Sequence, residues 1–337
     1  METKEKSIKH NKVKKMAIAA IAVLLALTLL GGASVALSHA IWHRSLAATY
    51  YMLRKQAAKN NKSYESELAW LESVRSAPEE EYELQKHLSF RSKVRVEKEE
   101  GMQVYYLNSE NNSNLTIFYF HGGAYVAQPS KLQWKSVDRL AEALNAEVVA
   151  PIYPLAPHHT YEEAYTVLLG QFAAWRQANP NKTFLFMGDS AGGGLALGMA
   201  QRLVEAGGEI PSKLILIAPW VDLAMENPEM KKYEKADPLL SIGFLKADAE
   251  AWAGETSLSD GAVSTLNASL AGLPETLIIQ GTADIFYPDV MLLEKKMKES
   301  GVSVKTVIGE NLPHVYTILS LPESKKAFIA TCDFVRA

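Results

Sequence analysis

The chain has 337 residues, 48% apolar and 22% charged, with a formal net charge of −3, a composition that excludes a disordered or collagen-like chain and is large enough for a substantial core. A charge this small, with no nucleic-acid motif, excludes a general polyanion binder, which needs a basic face to displace counterions from phosphates. Cys332 is the only cysteine, so no intramolecular disulfide forms and no cysteine cluster offers zinc-ligand spacing; its expected place is inside the last helix as a small apolar group.

Residues 1–15 carry six lysines against Glu2 and Glu5, and 16–38 contain no charged residue. As a helix, 16–37 would be roughly 33 Å long, enough for a hydrocarbon core of about 30 Å. The preceding lysines favour a cytoplasmic start, which sends the rest of the chain across. The segment reads as a transmembrane anchor with an extracytoplasmic domain behind it. The alternative is a signal peptide cleaved at Ser34-Val35-Ala36 or Ser38-His39-Ala40, giving a secreted protein. Residues 41–91 alternate charged stretches with Trp42, Leu46, Tyr50, Tyr51 and Leu53, then Leu68, Trp70, Leu71 and Val74. This spacing predicts two short amphipathic helices separated by Lys59-Asn60-Asn61-Lys62, forming a stalk or part of a lid.

Residues 92–97 and 102–107 alternate as half-buried strands about Glu99-Glu100-Gly101 and predict an antiparallel pair. From there the pattern repeats strand, loop, helix. Strand 115–120 leads to helix 131–144, strand 147–153 to helix 161–178, and strand 183–187 to the helix after Ser190. Strand 213–218 precedes an irregular insertion (222–262). The pairs 276–280 with 290–300 and 304–308 with 324–335 close the chain. Such alternation predicts an α/β fold, a mostly parallel sheet with helices on both faces, occupying 92–337. Ligands in such sheets sit at the carboxyl ends of the strands.

At one of those ends lies Gly188-Asp189-Ser190-Ala191-Gly192, between a predicted strand and a predicted helix. A serine on such a sharp turn projects its hydroxyl outward, and glycines two residues to either side leave room for crowded backbone. Ser190 is the candidate nucleophile, and it needs a base. Of eight histidines only His314 follows it, in a loop after a predicted strand. Asp284 leaves the strand end directly and is the preferred acid over Asp289, which follows Pro288 and is placed to cap the next helix. His121-Gly122-Gly123-Ala124-Tyr125 ends another strand, where backbone N–H groups can face an incipient oxyanion, each donor worth on the order of 100- to 1000-fold in rate. Gly122 and Gly123 are assigned there with Ala191, and Ala124 is the alternative to one of them; His121 itself braces the loop. Trp42, Tyr125, Trp220 and Phe244 are candidates to line an acyl pocket, with plain packing as the other reading.

HGGAY, YPLAP (153–157), GDSAGG, GLPETLIIQGTAD (272–284) and LPHVY (312–316), in this order, together with Ala236-Asp237-Pro238-Leu239-Leu240, resemble the hormone-sensitive-lipase-like branch of the α/β-hydrolases. The resemblance implies a cofactor-free carboxylic ester hydrolase acting on a small-molecule ester, with Ser190, Asp284 and His314 as its triad. It also implies a cap built from the amino-terminal helices and the insertion after the sixth strand. Ala124 stands where that family commonly has a third glycine, Pro154 where it has an arginine, and His158 where it has an acid. An amidase or peptidase on the same fold, and a non-catalytic ligand-binding relative, are the competing expectations.

Overall fold

A computed structural model of the chain describes residues 63–110 and 113–337. The strands are β1 (Val94–Glu99), β2 (Met102–Leu107), β3 (Leu115–Phe120), β4 (Glu147–Pro151), β5 (Thr183–Asp189), β6 (Lys213–Ile217), β7 (Glu275–Ala283) and β8 (Val304–Pro313). The helices are α1 (Tyr64–Arg75), α2 (Lys131–Leu144), α3 (Tyr161–Ala178), α4 (Ala191–Glu205), α5 (Met230–Glu234), α6 (Ile242–Ala253), α7 (Tyr287–Glu299) and α8 (Pro322–Arg336). The strands form a single sheet in the order β1-β2-β4-β3-β5-β6-β7-β8. Pairing is antiparallel for β1 with β2 and β2 with β4, and parallel from β4 through β8.

Successive side chains on a strand point to opposite faces, so a strand buried at every position is covered on both. This holds for β4 along its whole length and for β5 and β6 after their first residues. Helices supply the cover. Phe172 and Trp175 of α3 meet Phe118, Phe184 and Phe186 of β3 and β5, with ring centroids 4.8–6.0 Å apart, a geometry that adds about 0.5–1.5 kcal/mol per good pair to simple burial. β1, with mostly exposed side chains, is one edge of the sheet, and β8 is the other. Cys332 is buried in α8, as expected.

Local chemistry sets the element ends. α2 starts in a reciprocal cap: Ser130 Oγ accepts from the Gln133 N–H, and Gln133 Oε1 accepts from the Ser130 N–H at 2.7 Å. It stops at Asn145, which adopts the left-handed conformation (φ 49°) that asparagine tolerates. β7 and β8 run past their apolar stretches to Ala283 and Pro313, which carries the strand ends to the positions from which Asp284 and His314 emerge.

The expected helix around Leu68–Val74 is α1. It packs against α6 of the insertion after β6, with Tyr64 Oη donating to Glu250 Oε2 at 2.7 Å. The expected span 16–38, the first stalk helix and Trp42 lie outside the described residues. Among the described residues no helix is long and apolar enough to cross a membrane.

Candidate active site

The turn from β5 to α4 holds Ser190 at φ 56° and ψ −125°, a backbone state that costs a non-glycine residue of order 1–3 kcal/mol. Packing and hydrogen bonds keep it there. The Ser190 N–H donates to Ile217 O at 2.9 Å, and its carbonyl accepts from the N–H groups of Gly193 (2.9 Å), Gly194 (3.2 Å) and Trp220 (2.9 Å). A Cβ on Gly188 would lie 2.0 Å from Gly192 O, and one on Gly192 would lie 2.1 Å from Phe120 O. The two flanking glycines are therefore required by close backbone approach.

The three residues expected to act together do meet. His314 Nε2 is 2.9 Å from Ser190 Oγ, and His314 Nδ1 is 2.8 Å from Asp284 Oδ2. An ionised carboxylate only accepts hydrogen bonds, so Nδ1 carries the proton and Nε2 is the acceptor for the serine hydroxyl. Asp284 is fully buried, and its other oxygen accepts from the Phe286 N–H at 2.9 Å. The Phe286 ring stands edge-on to the imidazole at 5.3 Å. Burial pulls the His314 imidazole down, but the facing Asp284 carboxylate, with Asp237 and Asp189 behind it, outweighs that and leaves it raised above its ordinary value.

Around the expected oxyanion site one assignment changes. The Gly122 N–H points to Asp189 Oδ1 at 3.3 Å, so it is not free to receive an oxyanion. The amides of Gly123, Ala124 and Ala191 have no hydrogen-bond partner among the described residues, which favours Ala124, the alternative named above, over Gly122 as a candidate donor. Gly123 has φ 141° and its missing Cβ would sit 2.3 Å from Ala127 O, while Ala124 and Tyr125 follow at φ 54° and 65°. Successive residues of positive φ turn the peptide planes of this loop, a backbone form that can gather N–H groups into an anion-binding concavity.

Sequence reasoning missed what holds this loop. Asp189 is buried and accepts from Tyr119 Oη, from Gln133 Nε2 at 2.9 Å and from the Gly122 N–H. Desolvation pushes its carboxyl up while these donors pull it back, leaving it raised. Gln133 Nε2 also reaches Gly122 O at 3.2 Å. Asp189 stood in the motif beside Ser190, but Gln133 carried only a helix-cap signal. His121 braces the loop as expected: its Nδ1 contacts Gly122 O at 3.0 Å, and its ring stacks on Tyr153, whose hydroxyl donates to His121 O at 2.7 Å. Burial drives the His121 imidazole down to about 4, so it is neutral at physiological pH.

Asp289 does not cap α7. It lies in the first helical turn, where a negative charge suits the helix dipole, and accepts from Asn227 Nδ2 at 2.6 Å. Tyr125, Trp220 and Phe244 are all buried. Tyr125 stacks between Trp252 of α6 (4.3 Å) and Trp220 (5.6 Å), and Trp220 stacks on Phe286 (5.7 Å). These rings are packing rather than an open pocket wall. A groove of about 730 Å³ beside Tyr153, His159 and Glu79–81 includes none of the reacting groups. The arrangement at Ser190, an alcohol hydrogen-bonded to an imidazole beside a loop with unpaired amides, suits acyl transfer.

A family model described as alpha/beta hydrolase fold matches residues 117–318. The chain is 29% identical over 232 residues to an esterase of Acinetobacter venetianus, covering 68% of this chain and 77% of that one. It is 28% identical over 222 residues to a triacylglycerol lipase of Mycobacterium tuberculosis, covering 66% of this chain and 46% of the lipase. Among solved structures, an esterase from the bacterial hormone-sensitive lipase family superposes with TM-score 0.74 at 23% identity, over 86% of this chain and 97% of that one. At that identity the likeness speaks to the fold.

Proposed function

Because the chain belongs to the α/β-hydrolase family, we propose that it is a carboxylic ester hydrolase of the hormone-sensitive-lipase-like branch, with Ser190 as nucleophile, His314 as base and Asp284 as orienting acid. The observation that carries this is the continuous path Ser190 Oγ, His314 Nε2, His314 Nδ1, Asp284 Oδ2, with 2.9 and 2.8 Å between partners. Ser190 attacks the ester carbonyl as its proton passes to His314. The amides of Gly123, Ala124 and Ala191 receive the negative charge on the carbonyl oxygen. The imidazolium, held by Asp284, returns the proton to the leaving alcohol, and water repeats the sequence to free the acid. Esterase and lipase relatives support ester over amide substrates, and small or medium acyl esters are the proposed substrates.

The basic segment followed by a charge-free stretch supports attachment of the amino terminus to a membrane with the hydrolase domain on the far side; secretion after cleavage is the alternative, and amino-terminal sequencing of the native protein separates the two. The test of the chemistry is Ser190→Ala. It is expected to abolish hydrolysis of a short acyl ester and labelling by a fluorophosphonate while leaving the melting temperature unreduced. Undiminished turnover in that variant would refute the assignment.

A further inference from the structure

Asp237 lies on the cap segment between α5 and α6, far along the chain from the reacting residues, yet it is buried and bonded into their loop. Its Oδ1 accepts the N–H groups of Leu239 (2.8 Å) and Leu240 (3.0 Å), a local turn that by itself is structural. Its Oδ2 does something else: it accepts the N–H of Ile285 at 3.0 Å, while the next amide, that of Phe286, donates to Asp284 Oδ1 at 2.9 Å. Two carboxylates from different parts of the chain thus share the consecutive amides of one turn, and that turn aims Asp284 at His314.

We infer that Asp237 is a positioning residue of the hydrolytic site, tying the cap segment to the catalytic acid and adding a second negative charge behind the Asp284–His314 pair. The inference rests on the reading of Ser190 and His314 as the reacting pair. The charged groups facing His314 are Asp284 from the loop after β7, Asp237 from the cap segment and Asp189 from the end of β5; those facing Asp237 are Asp284 and His314. Burial, and then the like charge of Asp284, hold the Asp237 carboxyl up at about 6, with His314 and the two turn amides pulling the other way. The charge of Asp237 is among those that hold His314 up.

Asp237→Asn separates a tie to the acid from a mere turn. Asparagine keeps an oxygen for the Leu239 and Leu240 amides but presents an NH₂ to the Ile285 N–H, and it removes the charge. The full-length protein is assayed for pH dependence of kcat and kcat/KM on a short acyl ester, with a thermal melt alongside. The expected result is a kcat lower by about tenfold or more, because the acid is misaimed. The acidic limb of kcat/KM should also move to lower pH by about half a unit or more, because an imidazole losing a nearby negative charge loses its proton more readily. Asp237→Glu, which keeps the charge but lengthens the side chain by a methylene, should lower kcat and leave the limb in place, and it carries the test if the asparagine variant does not fold. An unmoved limb with wild-type kcat in Asp237→Asn, or wild-type kcat in Asp237→Glu, would overturn the inference while Ser190→Ala remained inactive. Hydrolysis that survived Ser190→Ala would instead bring down the functional reading, and this inference with it.

Discussion

Gly192→Ala adds one methyl group where the turn has no room. The new Cβ would lie 2.1 Å from Phe120 O, 2.5 Å from His121 O and 2.6 Å from His121 C, all backbone atoms that cannot swing aside as a side chain would. Ordinary contact begins near 3.4 Å, so the first turn of α4 and the end of β3 must part by about 1.3 Å, a forced overpacking that costs about 1–3 kcal/mol. In a protein of this size that is a fall in melting temperature of roughly 1–5 °C. The effect on chemistry should be larger, since the free amide of Ala191 rides on α4 while those of Gly123 and Ala124 follow β3. Parting the two by about 1 Å spoils the convergence of the donors and should reduce kcat on the order of 100-fold. Gly208→Ala is the internal control: its Cβ would meet nothing closer than 3.4 Å, and it should leave kcat unchanged with stability level or higher by about 0.4–1 kcal/mol. Steady-state hydrolysis of p-nitrophenyl acetate and thermal melts on the three proteins decide the matter. A Gly192→Ala variant within threefold of wild type in kcat and unchanged in melting temperature would refute the argument from close approach.

Because His314 must be neutral to accept the serine proton and is held above the ordinary imidazole value, kcat/KM should fall on the acid side with its inflection above about pH 6.5; a profile flat down to pH 6 would contradict this. Gln133→Leu removes the amide that donates to both Asp189 and Gly122 O. It should destabilise by about 1–3 kcal/mol for the buried carboxylate oxygen left unpaired, and it should lower kcat with little change in KM. Burial holds the Asp289 carboxyl up at about 6 despite the Asn227 donor. A carboxyl raised above its unfolded value loses stability as pH rises from about 4 through 6, so Asp289→Asn should stabilise by up to about 3 kcal/mol at pH 8 and by nothing at pH 4. Equal melting shifts at both pH values would count against that reading.

The three side chains that meet at His314 were legible because each carries a local signature. Glycines flank Ser190, Asp284 leaves a strand end, and His314 is the only histidine after the nucleophile. The donors around the oxyanion were legible only as a stretch. Glycine spacing shows that the backbone is crowded, not which N–H is free, and Gly122 is occupied because Asp189, 67 positions later, reaches across to it. Asp289 was misjudged because proline before aspartate suggests a cap, whereas Asn227 from the insertion claims its carboxylate. The extra length of β7 and β8 was hidden for a related reason: polar residues beyond an apolar run continue a strand when a neighbour pairs with them, which composition does not reveal.

The contorted backbone at residue 190 sets folding and chemistry against each other. A glycine would hold that backbone state without steric strain, so the least strained version of this turn is one stripped of its alcohol. Relief of that strain and retention of the hydroxyl are thus incompatible demands on one position.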